Sequence, residues 1–182
     1  MNTKRIVNVS LGYDVANAMD LYVNAFGDPG KRFSAIMRER SVRVQHNFTM
    51  LCLEWFKALA KVEHYDERNE ASVEFAKKLP ATIKYDQLSM HKLSARGIEE
   101  EFIFDFRNDE SAVELIERYL RITKDNELFI NKMLNNHRTI QQNFSRLCCI
   151  WFGAIADMPI RNKPYVVLAR KAYAKYKGFP MI

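Results

Sequence analysis

The sequence predicts a mainly helical chain with short β-strands, assembled from two copies of one strand-and-helix unit. Three observations predict it. A long apolar segment occurs twice, an alternating apolar stretch lies upstream of each occurrence, and only 6 Gly and 5 Pro interrupt 182 residues. So few turn formers leave helix as the main structure.

The repeated segment is QHNFTMLCLEWFKALA, from Gln45 to Ala60, and QQNFSRLCCIWFGAIA, from Gln141 to Ala156. Nine of its sixteen positions are identical, where average residue usage gives about one by chance. Both tryptophans, Trp55 and Trp151, fall in register at an offset of 96. Phe33 with Phe129, Met37 with Met133, and Val44 with Ile140 extend the match upstream. Further back the offset slips, and Val7, Val9 and Leu11 match Phe102, Phe104 and Phe106. Downstream, FAKK (Phe75–Lys78) faintly echoes LARK (Leu168–Lys171). A repeat of this length fixes the architecture. It gives a first unit over residues 1–79, a connector over 80–98 and a second unit over 99–182.

Each unit opens with a strand. In KRIVNVSL, Val7, Val9 and Leu11 point one way, and Ile6, Asn8 and Ser10 the other. Strict alternation with β-branched residues marks a half-buried strand. In EEFIFDFRND, Phe102, Phe104 and Phe106 oppose Glu101, Ile103, Asp105 and Arg107.

A helix follows, opened by Tyr13 or Asp14, with Val15, Met19, Tyr22 and Phe26 as its apolar stripe. Its counterpart carries Val113, Ile116, Tyr119 and Leu120, with Asp109 as the candidate N-cap. Gly27-Asp28-Pro29-Gly30 is a strong break, and Thr123-Lys124-Asp125-Asn126 a weaker one. A second helix is expected from about Lys31 to Val44, and its counterpart from about Glu127 to Ile140. The repeated segment is the third helix. Phe48, Leu51, Cys52, Trp55 and Leu59 form one stripe at helical spacing. A fourth helix is expected near Glu67–Leu79 and again near Lys163–Lys177.

The chain also lacks several signals. MNTKRIVNVSL has neither the apolar run nor the cleavage site of a signal peptide, and no stretch approaches a membrane span. The expectation is a cytoplasmic protein without a membrane partner. Cys52, Cys148 and Cys149 lie inside apolar helices and read as small core residues rather than disulfides or metal ligands. His46, His64, His91 and His137 stand at no metal or catalytic spacing. No nucleophile elbow, phosphate loop or paired-carboxylate motif occurs. Neither an enzyme nor a cofactor is expected.

The formal charge of +6 and pI near 9.2 suit an anionic partner. The charge is uneven. Residues 1–43 carry seven basic and four acidic side chains, whereas residues 101–127 carry four basic and eight acidic. Arg38, Arg40 and Arg43 read as a solvated helix face. The tail from Arg161 to Lys177 has six basic residues and no acidic one, interleaved with Tyr165, Tyr173 and Tyr176. It suits either a phosphate-contacting surface or an amphipathic helix packing its tyrosines.

The order strand, helix, Gly-containing turn, helix resembles the ribbon-helix-helix (MetJ/Arc-type) family of DNA-binding proteins. RIVNVSLGYDVANAMDLYV resembles the family's strand and first helix. GKRFSAIMRERSV resembles its second helix, which starts after a glycine and carries a Ser followed by two apolar residues. The likeness covers about Lys4–Val44 and, more faintly, about Glu101–Ile140. Tandem members occur among conjugation-related proteins, TraY being one.

The resemblance implies that two strands pair into a ribbon whose outward side chains enter the major groove of double-stranded DNA. On this chain the outward positions are Ile6, Asn8 and Ser10, with Lys4 and Arg5 at the rim. Asn8 suits bidentate contact with adenine, and Ser10 several base edges. Lys31 and Arg32, at the start of the second helix, would clamp phosphate. In the second unit Glu101 and Asp105 face outward, and Arg107 is the one expected contact. The implied role is a transcriptional regulator of a mobile element, plasmid or phage. Its added helices are available for oligomerisation or for RNA polymerase. A DNA-binding accessory protein for plasmid transfer or partition, or a helical interaction module that binds no DNA, are the alternatives. The sequence leaves open whether the ribbon closes within one chain or between two.

Overall fold

The computed structural model describes residues 2–25, 30–62, 100–123 and 126–156, together with Lys77. The expected break at Gly27–Pro29, the connector over 80–98, the fourth helices (Lys77 apart) and the basic tail lie outside them, as do His64 and His91. The described residues form six helices and a two-stranded antiparallel sheet. In chain order these are β1 (Lys4–Asn8), α1 (Gly12–Ala25), α2 (Gly30–Met37), α3 (Val42–Leu59), β2 (Glu101–Asp105), α4 (Asp109–Ile122), α5 (Glu127–Leu134) and α6 (Arg138–Ala156).

The strands meet each other within the chain. Lys4 stands opposite Asp105, Ile6 opposite Ile103, and Asn8 opposite Glu101. Val9 N–H donates to the Glu100 carbonyl at 2.8 Å and Phe106 N–H to the Thr3 carbonyl at 3.1 Å, which lengthens the ladder at both ends. Val7, Val9, Phe104 and Phe106 are buried beneath the ribbon.

A hydrogen-bonded corner turns each strand into its helix. Asn8 Oδ1 accepts from Ser10 N–H at 3.0 Å and from Ser10 Oγ at 2.5 Å. Asn8 N–H donates to Asp14 Oδ2 at 2.6 Å, tying the first turn of α1 to the strand end. The second corner uses other residues in the same places. Asp105 Oδ1 accepts from Arg107 N–H at 3.0 Å, and Asp105 N–H donates to Ser111 Oγ at 2.9 Å. These equivalents are 97 residues apart, so Val7 corresponds to Phe104 and Val9 to Phe106. Apolar matching alone had aligned Val7 with Phe102. Helix α1 starts at Gly12, ahead of Tyr13. The N-cap of α4 is Asn108, whose Oδ1 accepts from Glu110 and Ser111 N–H, and Asp109 is the first helical residue.

The second helices are shorter than the sequence suggests. Helix α2 stops at Met37 and α3 starts at Val42, where one helix was expected to run to Val44. Ser41 is the N-cap of α3, accepting from Val44 N–H at 3.3 Å. The Gln45 amide reaches back to the carbonyls of Arg38 and Arg40 at 2.7 and 2.9 Å, satisfying groups that a helix end leaves open. Gln141 does the same for Leu134 and Asn136 at 2.8 and 3.1 Å, so α5 also ends early. The glutamine shared by the two segments is therefore a helix stop.

Four further identities of that segment, its Asn, its Trp and both Phe, reach the opposite half of the chain. Asn47 Nδ2 donates to the Leu120 carbonyl near the end of α4, and Asn143 Nδ2 to the Val23 carbonyl near the end of α1. Trp55 Nε1 donates to Ser145 Oγ at 2.9 Å, and Trp151 Nε1 to Thr49 Oγ1 at 3.0 Å. Phe48 meets Trp151 edge-on, as Trp55 meets Phe144, each at 5.4 Å between ring centroids. Such edge contacts place a ring's positive rim on a negative face. Phe56 and Phe152 pack on each other at 6.0 Å.

The halves interlock. Helix α1 packs on α5, α2 on α6 and α4, and α3 on α6. A Cβ at Gly12 would lie 2.8 Å from the backbone nitrogen of Phe129, so only glycine allows α1 to approach α5 this closely. One hydrophobic core contains residues of all six helices and both strands. Cys52, Cys148 and Cys149 are free and buried in it. Burial pushes the Cys52 thiol up, and Cys148 against it adds to the effect, which leaves it inert.

Two outcomes follow from this packing. Thr49→Val keeps the shape of the side chain but strands the Trp151 N–H. A loss of about 1–3 kcal/mol is expected from the urea midpoint, with a similar loss for Ser145→Ala. A polypeptide of residues 1–79 exposes the faces of α1 and α2 that α4, α5 and α6 cover. Its far-ultraviolet circular dichroism should therefore be that of an unfolded chain.

Candidate nucleic-acid interface

The outer face of the ribbon is set by the period of two. Ile6 is 70% and Ile103 68% exposed, directly opposite each other at the middle of the ladder. Lys4 and Asp105 flank them at one end, and Asn8 and Glu101 at the other. A buried layer of Val7, Val9, Phe104 and Phe106 supports this face from beneath.

Each expected contact residue has a definite place. Lys4 and Ile6 are exposed on the outer face. Arg5 is exposed too, but its register puts it on the inner side, where its guanidinium lies 6.0 Å from the Phe106 ring centroid. Asn8 and Ser10 are half-buried. The Asn8 Oδ1 lone pairs are both used by Ser10, so Asn8 has only its Nδ2 donor to offer. The bidentate adenine contact expected of it requires that oxygen, and with it a rearranged corner.

The corner after β2 holds Arg107, exposed and two residues beyond the Lys4–Asp105 pair. The start of α2 lies beside the start of α4. Arg32 Nη1 is 3.7 Å from Asp109 Oδ2, and Tyr22 donates its hydroxyl to Asp109 Oδ1 at 2.6 Å. Helix α4 begins directly after that corner. Lys4, Arg5, Lys31, Arg32 and Arg107 are thus gathered toward one end of the ribbon. Sequence spacing did not reveal this, because 75 residues separate Arg32 from Arg107.

The far end is different. There Gly12 brings the start of α1 against Leu128 and Phe129 at the start of α5. Leu128 is 59% and Tyr13 47% exposed, and Glu127 takes the place of a basic residue. Glu100 is held by Arg118, which also stacks on Phe102 at 5.0 Å and pairs with Glu114 at 3.1 Å.

At the basic end, where Asp109 already stands beside Arg32, the outer face of the ribbon carries the carboxylate of Asp105. The Thr3 hydroxyl, the Arg107 N–H and the Lys4 charge hold its carboxyl below the usual carboxylate range. It remains ionised in neutral solution and partly offsets Lys4. Neighbouring charges on a ribbon weigh this way because opposed residues lie about 5 Å apart.

No protein-family model matches the chain, and neither the curated proteins nor the solved structures contain a match. Among the described residues, no group of three or more His, Cys, Asp or Glu is placed to hold a metal ion, and no helix is long and apolar enough to cross a membrane.

The Tyr22–Asp109 bond ties α1 to the start of α4 and has a measurable signature. Burial, then the bond to Asp109, raises the Tyr22 hydroxyl above its ordinary value of 10.0. The folded state therefore keeps a proton that the unfolded state releases. Its stabilisation is complete below about pH 10 and is lost as pH rises beyond that. Tyr22→Phe should flatten the alkaline side of the stability profile while leaving its shape between pH 6 and 8 unchanged.

Proposed function

We propose that the chain is a sequence-specific DNA-binding transcriptional regulator, acting as activator or repressor, with two ribbon-helix-helix units about an internal pseudo-two-fold axis. The observation that carries this reading is the exposed outer face of a two-stranded ribbon closed within one chain on a buried base. Such a ribbon has the width of the major groove, where side chains distinguish all four base pairs. The recurrence of corners, glutamine helix stops and tryptophan contacts at spacings of 96 and 97 supports the axis.

The basic end gives the reading a direction. Lys4, Lys31, Arg32 and Arg107 are exposed there, while Glu127 occupies the corresponding helix start at the other end. Phosphate contact falls on one flank of the ribbon, so the site on DNA is asymmetric. Recruitment of RNA polymerase would fall to the helices. The mobile-element setting rests on the TraY-like tandem resemblance. An accessory protein for plasmid transfer or partition would use the same contacts without acting in transcription. A helical interaction module is the second reading, favoured by exposed Leu128 and Tyr13.

Selection of bound duplex from a random pool tests the reading. A defined consensus is expected, with affinity falling steeply between low and moderate salt. Lys4→Ala and Lys31→Ala should each weaken specific and nonspecific binding alike and lower the salt slope by about 1. Glu127→Ala should cost no affinity. Retention of no duplex at low salt would sink the DNA reading and leave the interaction module.

A further inference from the structure

The middle of the ribbon is apolar, which hydrogen-bonded base readout does not require. Ile6 and Ile103 are the two most exposed large apolar side chains among the described residues, at 70% and 68%. They form a directly opposed cross-strand pair, so their side chains lie about 5 Å apart and share one surface. Neither has a role beneath the ribbon, because Val7 and Phe104 fill the core side.

That patch is too small to hold a protein partner. A standard interface covers roughly 800 Å² on each side, whereas two isoleucines bounded by Lys4, Asn8, Glu101 and Asp105 end within one residue in either direction. An occupant must therefore be narrow, with small apolar groups between polar ones. The floor of the major groove has this character. Its only apolar projection is the C5-methyl group of thymine, set among donors and acceptors on the neighbouring base edges. The flanking Lys4 and the Asn8 amide suit those acceptors, and the nearby cations suit the phosphates.

We infer that Ile6 and Ile103 together form a methyl-reading site that selects C5-methylated pyrimidines at the central base pairs of the bound sequence. The inference rests on the DNA-binding reading above and assigns the specificity of its centre. Thymine is the ordinary source of the methyl group, and 5-methylcytosine presents the same group at the same ring position. One buried methyl contributes about 0.8 kcal/mol, equivalent to about a 4-fold change in affinity.

The test starts from the duplex selected by the full chain. Replacing the central thymines with uracil removes the methyl groups and leaves every hydrogen-bonding group in place. Binding is expected to weaken about 4-fold for each methyl removed. If the selected centre holds cytosine instead, 5-methylcytosine should bind about 4-fold more tightly than cytosine by the same arithmetic. The variant Ile6→Ala/Ile103→Ala should bind methylated and unmethylated duplexes equally, and its melting temperature should match that of the parent because both side chains are exposed. Equal binding of the two duplexes by the parent protein overturns the inference and leaves the DNA reading standing. A preference that persists in the double variant assigns the methyl contact to other residues and also overturns it. Failure to retain any duplex overturns both.

Discussion

The structure depends on the crossed pair of tryptophan hydrogen bonds between α3 and α6. Each indole is fully buried, and each needs a partner for its N–H. That partner is the small hydroxyl of the opposite helix, Ser145 for Trp55 and Thr49 for Trp151. The two longest helices among the described residues are therefore held in one relative position, and the elements that pack on them inherit it. The ring contacts continue outward through Phe48 and Phe33 to Tyr22, and through Phe144 and Phe129 to Tyr119. Tyr22 in turn reaches Asp109 beside the ribbon. A continuous line of packed rings thus connects the centre of the core to the end of the exposed face.

Much of this was legible in the sequence. The period of two assigned Val7, Val9, Phe104 and Phe106 to the core and left Ile6 and Ile103 outside. It could not assign the register. A slip of two residues keeps every side chain on its own face, so alignment by apolar positions gave the correct faces with Val7 matched to the wrong phenylalanine. Only the corners, where Asn8 corresponds to Asp105 and Asp14 to Ser111, fix the correspondence. These are chemically different acceptors with one geometric task, and residue identity conceals that.

Helix ends were the other loss. Between Met37 and Val44 the sequence has no Gly or Pro, and its residues tolerate helix well. What stops α2 is the Gln45 amide folding back from the next helix, a contact that local pattern cannot reveal. At the candidate site, alternation correctly identified the outer positions but could not see that Ser10 consumes the Asn8 oxygen. Nor could it bring Arg32 and Arg107 to one end, since that requires the interlocked path of α2 against α4. Ser41 was the signal available in sequence, a capping residue three positions before Val44.

Closing the ribbon within one chain changes how it forms and how it can vary. A ribbon assembled from two identical molecules is lost on dilution, and its abundance follows the square of the monomer concentration. Here the partner strand is tethered, so pairing is a first-order event at any concentration. A dimer must also accept every substitution twice, once on each side of its axis. In this chain Lys31 and Glu127 stand at two helix starts with opposite charge, and Lys4 and Glu101, 97 residues apart, hold the two strands' like positions with opposite charge. A ribbon closed within one chain is thus free of both mass action and enforced symmetry, and the two sides of one surface can carry separate chemistry.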